Sequence, residues 1–254
     1  MQTSFMRLIF FLLLSIGLMT FVENAFSQSK KNSPIKDKIV VLTFDDAVKS
    51  QYTIVAPLLK KYGFGATFFV CEFPGMFGDS NNSMSWADIK QLSDWGFEIG
   101  NHTQHHVHVD DESAEDLKSE IEYIDRKCES LHIPKPINFA YPGYITDSSK
   151  IDILKQLGYV TARTGGFRVY RPGKDDPFYI PSFTPTDNLN KALDAIRQAK
   201  DGNIVVLTIH GVPDNAHDWV STTPEVFEAY MKYLKDNHYK VISMRDLVAM
   251  IPQR

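Results

Sequence analysis

The sequence predicts an α/β fold: a parallel (β/α) barrel, complete or partial. Three observations carry this. Short runs of β-branched and aromatic residues recur along the chain, stretches with helical spacing separate them, and about seven such alternations fit into 254 residues. The runs are too short for core helices and continuously apolar, as parallel strands buried on both faces are.

The N-terminus stands outside this pattern. Met1 to Arg7 carries one positive charge, Leu8 to Val22 is apolar, and Ala25-Phe26-Ser27 offers small residues at a cleavage site. That layout is a secretory signal peptide, residues 1–27, cleaved after Ser27. An uncleaved anchor is the other reading, against which the run is short of the roughly 20 residues a span needs. Residues 28–37, polar and lysine-rich, read as a linker, and residues 38–254 as the folded domain. A secreted or periplasmic chain with no stable membrane insertion after cleavage follows.

The first strand is Ile39 to Phe44. Pro57 to Tyr62 is helical and stops at Gly63. Strands follow at Ala66–Val70 and Phe97–Gly100. Ser113 caps a helix with an acidic first turn and an apolar stripe of Leu117, Ile121, Ile124 and Cys128. Further strands are Ile137–Ala140, Tyr159–Ala162, Ile204–Ile209 and Tyr239–Ser243, with Phe178–Ile180 a weaker candidate. Thr223-Pro224-Glu225 opens a last long helix carrying Val226, Phe227, Tyr230 and Leu234.

Composition narrows the function. A net charge of −4 argues against a nucleic-acid partner. No glycine-rich loop follows a strand, which argues against a nucleotide fold. Two cysteines, Cys71 and Cys128, exclude a disulfide scaffold and a thiolate zinc cluster. Both read as buried free thiols, with a single disulfide as the alternative in an exported chain. A chain this long buries its own core, so a metal here is expected to serve catalysis rather than folding.

The polar residues that follow each strand carry the chemistry, because strand ends of a βα barrel converge on one face. They are Asp45 and Asp46; Asn101, His102, Thr103, His105 and His106; Tyr141, Pro142 and Gly143; Arg163; and His210. If the segment after the third strand turns helically, His102 and His106 share one side and, with one carboxylate, form a His-His-Asp metal site. Zinc suits that set, and nickel, cobalt or iron can occupy it. On spacing alone His105 and His108 compete as ligands. His210 fits either a structural role or a general acid.

These residues resemble the polysaccharide deacetylase family, also called the NodB-homology domain or carbohydrate esterase family 4. Thr43-Phe44-Asp45-Asp46 matches its first motif, with Ala47 in place of glycine. His102-Thr103-Gln104-His105-His106 matches the second and Leu207-Thr208-Ile209-His210 the last; Ala66 to Val70 resembles its second strand. The resemblance implies a distorted, incomplete (β/α) barrel that removes acetyl groups from a carbohydrate with a divalent metal. It implies Asp45 as general base, Asp46, His102 and His106 as metal ligands rather than His105 or His108, and His210 as general acid. It also implies an oxyanion bond from the main-chain N–H of Gly143 or Tyr141, since Pro142 has none.

Two departures stand out. Ala140 replaces the arginine of the third motif, and Ala162-Arg163-Thr164-Gly165-Gly166 stands where an Asp-x-x-Asp-Trp motif is expected. Arg163 ends the next strand and is expected to pair with Asp45 in place of the lost arginine. Gly211–Trp219 and the loop Arg168–Pro177 are expected to form a sugar platform, with Trp219 on a ring or simply packed. The expected partner is an acetylated carbohydrate. An amidase on a non-sugar amide and a catalytically silent carbohydrate-binding domain are the alternatives.

Overall fold

The structure is a computed structural model that describes residues 36–251. The expected signal peptide, most of the linker and the last three residues lie outside the described residues. Seven strands form one parallel sheet: β1 (Ile39–Phe44), β2 (Thr67–Val70), β3 (Glu98–Asn101), β4 (Asn138–Ala140), β5 (Thr161–Arg163), β6 (Val205–Ile209) and β7 (Lys240–Ile242). Helices α1 (Ala56–Tyr62), α2 (Trp86–Asp94), α3 (Ala114–Ser130), α4 (Ile151–Gln156), α5 (Leu189–Ile196), α6 (Pro224–Asp236) and α7 (Met244–Val248) lie between and after the strands. Among the described residues no helix is long and apolar enough to cross a membrane.

The sheet runs β5-β4-β3-β2-β1-β6, and β7 also pairs with β1. β6 lies along β1 from Val40–Val205 to Phe44–Ile209. The other edge of β1 is shared: β7 takes Ile39 to Val41, and β2 takes Thr43 and Phe44. Two strands on one edge distort the barrel. Between β5 and β6 there is no full strand. The extended segment Ile180–Phe183 pairs with Arg163 at one end and Leu207 at the other. The weak strand candidate Phe178–Ile180 is thus displaced: Pro177 starts a tight turn over Pro177–Tyr179, and the extended part follows it.

Both faces of the sheet are buried, as the unbroken apolar runs require. In β1, Val40, Leu42 and Phe44 pack toward the helices, with Leu59, Phe227 and Leu234. Ile39 and Val41 face the barrel lumen, with Phe69, Ala140, Val206 and Ile242. Gly100 on β3 also faces the lumen, where a Cβ would lie 2.4 Å from the Phe69 ring. Cys71 and Cys128 are free and buried.

Candidate active site

Strand alternation carries the lumen-facing register past the ends of the strands. Ile39, Val41, Thr43 and Asp45 share one side of β1, and Val206, Thr208 and His210 one side of β6. Thr43 Oγ1 donates to the Leu207 carbonyl at 2.8 Å, and the Asp45 N–H to Ile209 O at 3.0 Å. Gln51, in the turn before α1, donates to the Asp45 carbonyl and to His210 O at 3.1 Å. It ties the two strand ends together.

Asp46 leaves this register because its backbone is left-handed, φ 71°. Its Oδ1 lies 3.4 Å from Nε2 of both His102 and His106, and its Oδ2 lies 3.8 Å from His210 Nε2. The expected helical turn between the two histidines is absent. Left-handed Thr103 (φ 61°) and His106 (φ 57°) fold the segment instead. Asn101 Oδ1 accepts from the Thr103 N–H at 2.9 Å, and Thr103 Oγ1 from the Val107 N–H at 3.1 Å. The imidazoles end 4.8 Å apart, edge to face. Ala47, where the family motif has glycine, is also left-handed (φ 54°) and buried.

A cation fits this group. The ligand atoms of Asp46, His102 and His106 lie within 4.8 Å of one another. His102 Nδ1 is 2.8 Å from the Ala140 carbonyl, so it carries the proton and leaves Nε2 as a bare donor. Asp46 Oδ1 is buried without a hydrogen-bond partner. Burial opposes ionisation of Asp46, but the His102 imidazole and the charges of His210 and His106 outweigh it and hold the carboxyl well below its usual range. Burial, then His102, pushes His106 down to about 4. For His102 burial is overcome by Asp45 and Asp46, which raise it.

Arg163 is fully buried in the lumen, and its Nη2 lies 2.6 Å from Asp45 Oδ2. The guanidinium sits 5.4 Å from the ring centroids of both Phe69 and Tyr144. Arg163 is the direct register partner of Ala140. The positive charge has therefore moved to the facing position on the next strand, and the Ala140 methyl leaves it room.

The other candidates separate. The Tyr141 N–H is donated to the Arg163 carbonyl at 3.0 Å, and its ring packs in the core. That removes Tyr141 as a main-chain donor. Gly143 is exposed and left-handed (φ 59°), and a Cβ there would lie 2.6 Å from His108 Nε2. Its N–H is the one that remains. His105 turns away to Glu120, with Nδ1 at 2.8 Å from Oε1. Trp219 is 71% exposed and meets the His217 ring. The expected platform loop Arg168–Pro177 is elsewhere. Tyr170 bridges Ile204, at the far end of β6 from His210, because Arg168 and Arg171 both pair with Asp175 and fold the loop there.

Residues 32–162, half of the chain, match the family model for polysaccharide deacetylase. The chain belongs to the polysaccharide deacetylase family. Among similar members is the peptidoglycan-N-acetylglucosamine deacetylase of Bacillus cereus, 28% identical over 85% of this chain and 90% of that one. The peptidoglycan-N-acetylmuramic acid deacetylase PdaA of Bacillus subtilis is 30% identical over a shorter stretch, 50% of this chain and 46% of that relative. The solved structure of PdaA superposes with a TM-score of 0.58, at 26% identity, over 84% of this chain and 82% of its own. The chitin deacetylase of Colletotrichum lindemuthianum shares the fold, with a TM-score of 0.63 at 17% identity over 88% of this chain and 91% of its own.

Sequence reasoning overlooked Phe73, whose ring packs on His106, and placed His217 only within the platform segment Gly211–Trp219 without singling it out. The strand-end rule applied to β2 finds Phe73, which stands three residues past Val70.

Proposed function

We propose that this family member is an exported, metal-dependent deacetylase that hydrolyses N- or O-linked acetyl groups on a carbohydrate polymer. One observation carries the reading: a buried carboxylate–guanidinium pair, Asp45–Arg163, stands beside an Asp-His-His group and a further histidine. Asp46, His102 and His106 would hold the cation, zinc first among the candidates. A cation there would polarise an acetyl carbonyl and acidify a water. Asp45 takes the proton of the attacking water. Arg163 is a positioning residue that keeps the Asp45 carboxylate aimed. The Gly143 N–H donates to the oxygen on which negative charge develops. His210 gives a proton to the departing nitrogen or oxygen. Trp219 offers its face to a sugar ring.

Peptidoglycan is the first substrate to try, because the likeness to the Bacillus cereus enzyme spans most of both chains. Export rests on the apolar run Leu8–Val22 and the small residues before Gln28. The experiment is acetate release from peptidoglycan, chitin oligomers and acetylated xylan, with metal content measured in parallel. Release that a chelator abolishes and zinc restores is expected, with one metal bound per chain. Release from simple amides alone would favour the amidase. Failure on every substrate at full metal loading would leave only sugar binding.

A further inference from the structure

The residue before each of the two histidines His102 and His106 is fastened to α3. Strand alternation turns His102 toward the lumen and Asn101 toward the helices. Asn101 is fully buried, and its Nδ2 donates to the Ile121 carbonyl of α3 at 2.9 Å and to the Tyr159 hydroxyl at 2.6 Å. One turn along α3, Asp125 Oδ1 accepts from that hydroxyl at 2.5 Å and lies 3.3 Å from Asn101 Nδ2. His105 donates its N–H to Glu120 Oε2 at 2.8 Å, and its Nδ1 lies 2.8 Å from Glu120 Oε1. Between these two ties, the Gln104 carbonyl accepts from the Glu72 N–H at 2.6 Å, and Glu72 Oε1 accepts from the Tyr123 hydroxyl of α3 at 2.8 Å.

The segment needs such support. Thr103 and His106 are both left-handed, a backbone region that a branched side chain disfavours and keeps only where its surroundings impose it. The bond from the Thr103 N–H ends on Asn101 Oδ1, so one amide side chain joins the turn to the helix. Neither Asp125 nor Glu120 stands in the lumen with the proposed base, acid and metal ligands. Their contacts go to the backbone and to the residues that carry the histidines.

We infer that α3 positions the two histidines for the cation: Asp125 and Tyr159 act through Asn101, and Glu120 through His105. The inference rests on the metal-dependent deacetylase reading above. These three are positioning residues. They fix the backbone from which the His102 and His106 imidazoles project, so the ligand set is in place before the cation arrives. Outer partners of this kind set metal affinity without touching the metal.

Two measurements on the full chain test this. In Asp125→Ala and Glu120→Ala, zinc affinity measured by competition with a chelator is expected to fall about ten-fold. Asp125→Asn and Glu120→Gln, which keep an acceptor in place, should restore most of it. Amide hydrogen exchange of the metal-free protein reads the support itself. The Thr103 and Val107 amides, bonded inside the turn and not to α3, should exchange faster in both alanine variants, while the β1 amides keep their wild-type rate. Should Asp125→Ala fail to fold, Tyr159→Phe takes its place and removes only the hydroxyl. Unchanged exchange at Thr103 and Val107, or a rise shared equally by β1, overturns the inference, as does wild-type zinc affinity in both variants. Failure of the deacetylase reading would look different: the turn amides would respond as expected, and the wild-type protein would release no acetate.

Discussion

Asp45 and Asp46 adjoin in sequence and are turned toward different partners by one backbone angle. Asp45 keeps the lumen register of β1 and meets Arg163, whereas Asp46 at φ 71° turns to the histidines. Asp45→Asn is expected to keep its metal and lose about 10²–10⁴-fold in rate. Asp46→Asn should lose the metal itself. Metal analysis beside acetate release checks both, and the reverse pattern would exchange the roles. Arg163→Met should also unfold more easily, by about 3–5 kcal/mol, because it leaves a buried carboxylate unpaired. A urea midpoint equal to wild type would show that Asp45 has another partner. Much of this site was legible in the sequence, because strand ends mark themselves. Arg163 could be read from the gap at Ala140, since two lumen-facing strand ends in register are interchangeable supports. The tie made by Gln51 could not, because its two carbonyl acceptors belong to strands far apart in sequence.

At the level of elements, regular pieces were readable and irregular joints were not. β1 matches its apolar run residue for residue, and Ser113 and Thr223 cap the helices read from them. The Ile180–Phe183 segment escaped because its pairing comes from two other elements and not from its own pattern. The turn from His102 to His106 escaped because left-handed Thr and His leave no mark in periodicity. A second hidden joint lies at the opposite end of the barrel. Glu98 opens β3, where it is buried and accepts from Thr67 Oγ1 at 2.7 Å, from Asn138, and from the Arg245 N–H of α7 at 2.6 Å. It thereby joins three strands to a helix start. Burial raises Glu98 above its usual 4.5 despite these bonds. The folded state therefore holds this proton more tightly than the unfolded chain does. Stability from this group falls as pH rises from about 4.5 through the raised folded value. Glu98→Gln should remove that fall from a plot of urea midpoint against pH; a plot parallel to wild type would locate the fall elsewhere.

Across the whole molecule, the lumen is layered from a polar base to a chemical rim. Thr67, Glu98, Asn138 and Thr161 form the base, and Val41, Phe69 and Ala140 an apolar middle. Asp45, His102, Arg163 and His210 stand at the rim. The apolar layer keeps water from the buried Asp45–Arg163 pair from below, so the rim is reached from the loop side. A metal held at this rim would be linked to the stability of the barrel, since Asp46, His102 and His106 are brought together only by folding. The sign of its pH dependence follows from His102. Asp45 and Asp46 raise this imidazole above 6.5, so without metal it contributes stability below that value, and the contribution is lost as pH rises through the folded one. A cation needs the neutral ring, so it must displace a proton at low pH and none at high pH. This competition with the His102 proton shrinks the gain from metal as pH falls. Zinc at about 100 times its dissociation constant is expected to add about 2.7 kcal/mol at pH 8. The gain should be much smaller at pH 5.5, where His102 is protonated. Thermal unfolding with zinc and with a chelator at the two pH values measures it. An equal rise in Tm at both would mean that His102 does not hold the metal.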